Sequence, residues 1–227
     1  MKRKTFVTVF LFTLSAFTTM SLFAVDLSCG VKGGVNLATF GGDDSYQDGA
    51  YKCKYKIGFN TGLFASISLI KAFTLQSAIL LSSKGTKVEL DGLEGYEYDS
   101  LYYVEIPLVL KVYPLKQLSN FRLNIFTGPY LAIDVLNRYR TTDEVKDFYQ
   151  LLGVETKGEY ENVRTLDYGL LAGLGADIGR ILLEVSWSKG MASTDDSVFE
   201  YHLENCVLLL MLGYRCDFSL AFTHLKG

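Results

Sequence analysis

The stretch YKIGFNTGLFASISL, residues 55–69, alternates large apolar residues with small or polar ones at nearly every step. One face carries Ile57, Leu63 and Ile67, and the other carries Lys56 and Asn60. A period of two indicates a β-strand with two different faces. Strands of soluble sheets are usually about five or six residues long, whereas this pattern continues for 15 residues. Its length is typical of a strand that crosses a bilayer at a tilt.

The same alternation recurs in seven further segments. Their ranges are 27–40, 73–85, 103–113, 121–135, 166–178, 181–188 and 201–218. The longest apolar run after the N-terminal region, CVLLLMLGY, is far shorter than the roughly 20 residues of a transmembrane helix. In a bilayer, strands satisfy every backbone group only when the barrel is closed. The sequence therefore predicts an all-β fold: an eight-stranded antiparallel up-and-down transmembrane β-barrel.

The connections between these segments alternate in length. IKA (70–72), PLKQLSN (114–120) and GR (179–180) are short, whereas GGDDSYQDGA (41–50) and the stretch 137–162 are long and rich in acidic residues. Short periplasmic turns and long extracellular loops are the layout of outer-membrane barrels. With an even number of strands, both termini are predicted in the periplasm.

The N-terminus has the features of a secretory signal. Lys2, Arg3 and Lys4 precede an apolar stretch from Phe6 to Phe17, and Ala24 is a small residue suited to cleavage. An uncleaved membrane anchor is the alternative. We predict a signal peptide at 1–24, an outer-membrane barrel at 25–218 and a short C-terminal tail at 219–227, in a protein exported to the bacterial outer membrane.

Composition argues against several function classes. The 227 residues carry a formal net charge of −3 and the pI is about 5.5, which disfavours a nucleic-acid partner because phosphate binding needs clustered lysine and arginine. The four cysteines show no C-x-x-C pairing. The acid pairs Asp43–Asp44 and Asp195–Asp196 have no metal-binding pattern, so we predict no metal ion and no cofactor.

Catalysis has little support in the sequence. The chain contains two histidines, and His202 lies within about fifteen residues of Ser188 and Ser193, residue types that a barrel-shaped lipase needs close together. A histidine at a strand end is more often a solvated loop residue. The chain is therefore predicted not to be an enzyme.

A soluble eight-stranded barrel of the lipocalin type is the alternative fold, with the apolar face turned inward around a ligand. The other face of these strands is crowded with glycine, serine and charges of both signs, which is unusual for a water-exposed wall. Aromatic residues near the strand ends suit a membrane-interface girdle. They are Phe40, Tyr55, Tyr98, Phe121, Tyr168, Trp187 and Tyr214.

The polar face places ten charged residues inside the predicted barrel. They are Lys32, Lys56, Lys84, Glu105, Lys111, Arg122, Asp134, Asp167, Asp177 and Glu184. An eight-stranded barrel is just wide enough for side chains to fill, and unpaired charges there are costly. Either these residues form a network that plugs the lumen, or they line a path for a small solute. In the same region, Pro107 removes a ladder donor and predicts a local bulge or kink.

The long connection contains a predicted short helix at 141–153. Thr141 and Glu144 form a candidate capping box, and Gly153 suits the C-terminal end. The candidate partner-binding residues of this loop are Val145, Phe148, Tyr149 and Leu152. Their apolar face either docks an extracellular or envelope protein or packs over the mouth of the barrel.

Cys29 opens the first predicted strand and Cys216 closes the last. A closed barrel brings these two ends together at the seam, so the pair forms either a disulfide, as export to an oxidising compartment allows, or two free thiols that face lipid.

Six segments resemble, in order, those of a bacterial outer-membrane β-barrel family that includes PorT-like proteins, which are similar in shape to the OmpA barrel. They are KGGVNLATF, GFNTGLFASISL, YVEIPLVLKVY, FTGPYLA, DYGLLAGLGADI and LGYR. The most specific is the strand with Tyr103, Glu105, Pro107 and Lys111. One departure is that SLAFTHLKG continues past Phe218, whereas such proteins commonly end on an aromatic residue.

The resemblance implies outer-membrane lipid and the barrel-assembly machinery as partners, and it leaves the function open. A non-enzymatic structural or surface-interaction role, a narrow porin-like channel for small solutes and a PorT-like part of a secretion system all fit the family.

Overall fold

The computed structural model describes residues 26–41, 51–90, 95–115, 120–151, 165–192 and 204–218. Eight long strands are present: β1 (Asp26–Gly41), β3 (Lys56–Ile70), β4 (Phe73–Lys84), β6 (Tyr96–Val112), β7 (Phe121–Thr141), β8 (Leu166–Ile178), β9 (Ile181–Gly190) and β10 (Glu204–Phe218). Two short strands, β2 (Tyr51–Lys54) and β5 (Lys87–Leu90), and one helix, α1 (Asp143–Leu151), complete the described structure. Among these residues, no helix is both long and apolar enough to cross a membrane.

Consecutive long strands pair antiparallel all the way round. The order β6–β4–β3–β1–β10–β9–β8–β7 returns on itself through the β6–β7 pairing. The seam between the first and last strands runs from Leu27 opposite Phe218 to Gly41 opposite Glu204. The predicted closed, eight-stranded antiparallel up-and-down barrel is confirmed.

The apolar face of each long strand points outward. In β8 the burial alternates at almost every residue, with Asp167 inside and Tyr168 outside. Ile57 is 75% exposed, and Leu63 and Leu174 are also exposed on the outer wall. An apolar exterior and a polar interior are the reverse of a soluble ligand-binding barrel and the arrangement of a transmembrane one. The lipocalin-type alternative is therefore wrong.

Most of the predicted aromatic girdle lies on this outer wall. Tyr55, Phe121, Trp187 and Tyr214 are exposed near strand ends. Phe40 is a correction, because it is only 8% exposed and packs inside the barrel. Its even position in β1 puts it on the lumen face, so its place near a strand end is a misleading signal.

Glycine on the lumen face allows close approach between strands. A Cβ atom at Gly62 would lie 1.9 Å from the backbone oxygen of Ile79 on β4, a distance that no side chain tolerates. Gly179 has another role: its φ of +59° turns the chain between β8 and β9, in the left-handed region that glycine adopts without strain. The strongly curved wall of a small barrel therefore depends on residues without a side chain.

At the end opposite the short turns, the sheet extends further than the sequence pattern predicts. β2 pairs with β5, and β5 pairs with β6. β6 begins at Tyr96 and β7 ends at Thr141, whereas alternation predicts strands at 103–113 and 121–135. The outer positions of these extensions lack a regular apolar face because they rise beyond the lipid-facing band, so hydrophobic periodicity does not reveal them.

Of the bulge or kink predicted at Pro107, the bulge is wrong, and the kink stays a prediction. Pro107 pairs with Tyr130 on β7, and the register between β4 and β6 is the same on either side of it. Its carbonyl accepts a hydrogen bond from Ser77 Oγ at 3.1 Å. The β6–β7 register shift lies instead between Tyr102 and Tyr103.

Helix α1 begins at Asp143, one residue later than a cap at Thr141 requires. Thr141 is the last residue of β7 and pairs with Glu97. Thr142 precedes the helix: its carbonyl accepts the Lys146 N–H at 3.0 Å, and its hydroxyl accepts the Tyr96 N–H at 3.1 Å. The cap is therefore Thr142, and it ties the helix to the start of β6.

Cys29 and Cys216 are direct register partners across the β1–β10 seam, and both are exposed free thiols. We expect mild thiol oxidation of the folded barrel to join this pair, because cross-strand neighbours lie about 4.5–5.5 Å apart at Cα. Peptide mass mapping after oxidation measures the link. Cys206, which lies opposite Thr39 on the same seam, is the internal control. A link from Cys29 to Cys206, or none to Cys216, would contradict the register.

Candidate functional site in the barrel lumen

The described residues of the lumen contain three groups of charged side chains, stacked from the long-loop end to the short-turn end. The outer cluster is Lys84, Glu105 and Asp167. The central cluster is Lys32, Lys111 and Glu184. The mouth cluster is Arg122, Asp177 and Arg215. Each charged side chain reaches the lumen because alternation places it on the inner face of its strand.

The outer cluster is centred on Lys84, whose side chain is 1% exposed. Its Nζ lies 2.8 Å from Glu105 Oε2 and 3.4 Å from Asp167 Oδ2, and 4.3 Å from the ring centroid of Tyr130. Asp167 also accepts hydrogen bonds from Tyr130 Oη at 3.2 Å and Asn205 Nδ2 at 3.1 Å. Each charge of this cluster thus has a partner of opposite charge, as burial away from water requires.

In the central cluster, Glu184 on β9 binds two lysines from other strands. Lys32 Nζ on β1 lies 3.4 Å from Oε2, and Lys111 Nζ on β6 donates to Oε1. Because β6 and β9 are not neighbours in the sheet, the Lys111 contact crosses the lumen. The cluster therefore ties opposite walls of the barrel together.

The mouth cluster surrounds one carboxylate. Asp177 Oδ2 accepts hydrogen bonds from Arg122 Nη2 at 3.0 Å, Arg215 Nη1 at 2.9 Å and Tyr113 Oη at 3.1 Å. Asn124 Nδ2 donates to Oδ1 at 3.1 Å. Burial raises the pKa of Tyr113, which lies just past the end of β6, and the neighbouring Asp177 charge raises it further. The phenol thus stays protonated and acts as a donor.

Two of the ten predicted lumen charges join none of these clusters. Lys56 Nζ donates to the Lys84 carbonyl at 3.0 Å, at the long-loop end. Asp134 is half-buried, and its Oδ2 accepts from Asn137 Nδ2 on its own strand at 3.5 Å. Glu105 and Lys111 do not pair with each other, as their spacing on one strand predicts.

Several interior residues were not singled out by the sequence. Arg215 was missed because no face was assigned to the last segment. The Asn36 amide donates to Asn60 Oδ1 and, at 3.0 Å, to the Ser83 carbonyl, while Asn60 Nδ2 donates to Ser82 Oγ at 3.0 Å. Asn36 and Asn60 lie on the predicted polar face, which therefore predicts interior amides as well as interior charges.

Apolar side chains also enter the lumen. Phe64, Ala78, Leu80, Leu182 and Met211 form a buried group at the level of the central cluster. A second buried group surrounds the outer cluster and includes Tyr103, Tyr130 and Phe126. The polar-inside rule misses these residues because in a narrow barrel the interior is packed like a core.

The structure corrects part of the predicted partner-binding loop. Val145 is 0% exposed, so it anchors α1 and is not available to a partner. A Cβ atom at Gly95 would lie 2.6 Å from Val145 Cγ2, which shows how closely the helix approaches β6. Phe148 and Tyr149 belong to α1, but their side chains, like the whole of Leu152, lie outside the described residues.

Within the described ranges, no three His, Cys, Asp or Glu side chains are grouped to hold a metal ion. The acid pairs at 43–44 and 195–196, His202, the predicted signal peptide and the predicted tail lie outside those ranges. The predictions about them are therefore left as predictions.

Residues 23–196 match the family model described as outer membrane protein beta-barrel domain. The chain belongs to this family. The match covers most of the strands, and it places the barrel in the bacterial outer membrane, in agreement with its apolar exterior. The narrower resemblance to PorT-like proteins stays a prediction.

Solved outer-membrane proteins match the chain at low identity. OprG from Pseudomonas aeruginosa is 14% identical with a TM-score of 0.49, over 86% of this chain and 97% of that one. Neisserial surface protein A is 13% identical with a TM-score of 0.47, over 82% and 96%. Ail from Yersinia pestis, solved with the heparin analogue sucrose octasulfate, is 12% identical with a TM-score of 0.41, over 84% and 99%. No curated protein sequence matches the chain.

We expect Lys84→Met to lower the free energy of unfolding by about 3–5 kcal/mol, because it leaves Glu105 and Asp167 buried without a cation. Urea unfolding of the barrel in detergent micelles measures the change. Lys71→Met, in the exposed β3–β4 turn, is the matched control. Glu105→Gln and Asp167→Asn, added to Lys84→Met in the same chain, are expected to restore most of the lost free energy of unfolding. An unchanged midpoint for Lys84→Met would show that the outer cluster is not a structural unit.

Proposed function

We propose that this protein is a non-enzymatic outer-membrane barrel with a plugged lumen, which presents its long-loop end at the cell surface in a structural or surface-interaction role. The observation that carries the proposal is the burial of the lumen charges in clusters, two of whose ion pairs cross the barrel. Export by the N-terminal signal and periplasmic short turns belong to the same proposal.

The filling of the lumen supports the plug. Five large polar or aromatic side chains from five different strands are each at most 2% exposed. They are Tyr103, Lys84, Asn124, Asp167 and Asn205. At this exposure almost no water-sized space adjoins them, whether open to solvent or enclosed. A conducting path needs continuous water-wide space, so the filled section acts as a barrier.

The cost of opening this barrier also supports the plug. An ion that passed the central cluster would disturb the contacts of Glu184 with Lys32 and Lys111, and a buried charge left without its partner costs about 3–5 kcal/mol. The outer cluster imposes a second such step. These charges therefore stabilise the closed barrel and are not free to coordinate a moving solute.

The long-loop end has the features of a recognition surface on a rigid scaffold. Strands β2 and β5 extend the wall beside β6, while Val145 and Thr142 hold α1 in place. The side of α1 that carries Asp143, Glu144 and Leu151 is exposed. A surface partner would therefore meet a fixed helix with acidic residues at its N-terminal turn.

We expect the refolded wild-type barrel to insert into a planar bilayer without stable current steps. A variant in which Lys84 and Tyr130 at the outer cluster and Lys111 and Glu184 in the central cluster are each changed to Ala lacks the large side chains of both layers. It is expected to conduct. Lys54→Ala with Glu89→Ala removes an ion pair outside the lumen and is the matched control, with no steps expected.

Heat-dependent gel mobility confirms that each variant is folded before recording. Stable wild-type steps whose ion selectivity changes in Glu105→Gln would overturn the plug and establish the porin-like alternative.

The proposed orientation predicts the labelling of single cysteines in a background where the four native cysteines are replaced by serine. A membrane-impermeant maleimide should label Leu151→Cys, on α1, in intact cells, and label Lys71→Cys, in a short turn, only after lysis. Both positions are exposed, so accessibility alone does not separate them. Labelling of Lys71→Cys in intact cells, with Leu151→Cys protected, would reverse the orientation.

A further inference from the structure

The lumen opens into a cavity of about 500 Å³ at the short-turn end. Its walls and floor include Phe64, Gln76, Lys111, Tyr113, Arg122 and Leu182, and we call it the vestibule. Phe64 and Leu182 belong to the buried group at the level of the central cluster, so the vestibule ends at that layer. Its volume falls in the range of about 300–1,000 Å³ that small-molecule sites occupy.

The charge of the lumen changes sign along the barrel. Near the vestibule the central and mouth clusters supply four cations, Lys32, Lys111, Arg122 and Arg215, against two carboxylates, Asp177 and Glu184. At the rim, Asp217 Oδ1 lies 2.8 Å from Arg215 Nε, an ion pair without hydrogen-bond geometry, and Asp26 is exposed. The inner part of the vestibule therefore favours an anion.

At the long-loop end the balance is the reverse. Among the residues that the structure describes, two lysines face four buried carboxylates there: Lys56 and Lys84 against Glu97, Asp99, Glu105 and Asp167. An anion that entered from the short-turn end would thus be attracted by the vestibule and repelled by the section beyond it. The vestibule is where an anion would stop.

Arg122 is the cation best placed to meet a ligand. Its Nη2 donates to Asp177, and its guanidinium lies 4.5 Å from the ring centroid of Tyr113. It forms no other hydrogen bond with the described residues, and its side chain is partly exposed where it lines the vestibule. One ion pair and one cation–π contact hold the guanidinium in place. The remaining N–H donors are left for a bidentate contact with a carboxylate or phosphate.

Gln76 supplies an independent sign of a ligand. It lines the vestibule, is only 3% exposed, and forms no side-chain hydrogen bond with the described residues. The amide atoms face the cavity and are not sealed in the wall, so they can donate hydrogen bonds to a ligand there and accept them from it. Around it are the hydroxyl groups of Ser66, Ser68 and Thr74.

The hydroxyl groups pair in a way that leaves hydrogen-bonding capacity. Ser28 and Ser66 lie 2.8 Å apart at Oγ, and Ser68 Oγ lies 3.3 Å from Thr74 Oγ1. Each pair uses one hydrogen, so the second hydroxyl of the pair can still donate, and all of them can accept. A wall of hydroxyls and an amide matches a ligand that itself carries hydroxyl groups.

We propose that the vestibule binds a small polyhydroxylated anion, in which a carboxylate or phosphate contacts Arg122 and the hydroxyl groups contact Gln76 and the serine and threonine hydroxyls. This binding site is a function beyond the plugged barrel proposed above. The filled section of the lumen forms the floor of the site. It does not depend on which side of the membrane the short turns face.

Titration calorimetry of the folded barrel in detergent micelles tests the site. The probes are gluconate, glucose 6-phosphate and neutral glucose. Binding of at least one anion, weaker at high salt, with no binding of glucose at the same concentration, is the expected result. Comparison of gluconate with glucose 6-phosphate identifies the preferred anionic group. If neither anion binds the folded wild-type barrel, the proposal is wrong.

Substitutions locate the binding. Arg122→Gln and Gln76→Leu should each weaken binding by about tenfold or more, as expected for loss of a charged or buried hydrogen bond. Lys71→Gln, the same charge change in an exposed turn outside the vestibule, should leave affinity unchanged. Equal affinities in Arg122→Gln and Lys71→Gln would overturn the proposal.

A measurement on the wild-type chain keeps the test valid if a variant fails to fold. Addition of the bound anion should shift the NMR signals of the Gln76 side-chain amide and the Arg122 Nε–H group. Glucose should shift neither. Binding by calorimetry with both signals unmoved would place the anion elsewhere and reject the vestibule as its site.

Discussion

The pairing of β1 with β10 is the constraint on which the rest of the structure depends. Without it, both strands would leave a row of backbone N–H and C=O groups unpaired in hydrocarbon, each costing several kcal/mol. The pairing runs from Leu27 opposite Phe218 to Gly41 opposite Glu204, so almost the whole length of both strands is satisfied. Closure also fixes the faces, because in a ring of eight strands the inner positions of every strand meet in one narrow lumen.

That narrowness explains the chemistry of the interior. A charge on the inner face cannot reach bulk water, so it needs a partner on another strand, and in two of the ion pairs that partner lies across the barrel. Lys84 on β4 meets Asp167 on β8, and Lys111 on β6 meets Glu184 on β9. Each such pair joins strands that share no backbone hydrogen bonds. The clusters therefore resist flattening of the barrel, which the backbone ladder alone resists poorly.

Alternation of residue type predicted the barrel, the strand number and the inner face of residues such as Lys32, because these follow from a period of two within one strand. It could not predict that Lys111 meets Glu184, since that contact depends on the stagger between strands far apart in the ring. Phe40 and Phe64 face inward, which the polar-inside rule does not anticipate, because filling a small lumen needs volume as well as polarity. The outer parts of β6 and β7 escaped detection for the opposite reason: beyond the lipid, no apolar face is required.

A filled lumen and a ligand site are compatible in one small barrel because side chains close only part of its length. The layer of Phe64, Leu182 and the central cluster closes the lumen. The space at the short-turn end is therefore a cavity, the vestibule, and not a pore. Cations predominate near the vestibule and carboxylates beyond it, so the charge of the interior changes sign along the barrel axis. Neither a cation nor an anion therefore finds a favourable environment along the whole lumen. The same charge arrangement that opposes conduction thus concentrates attraction for an anion at one end, in front of Arg122.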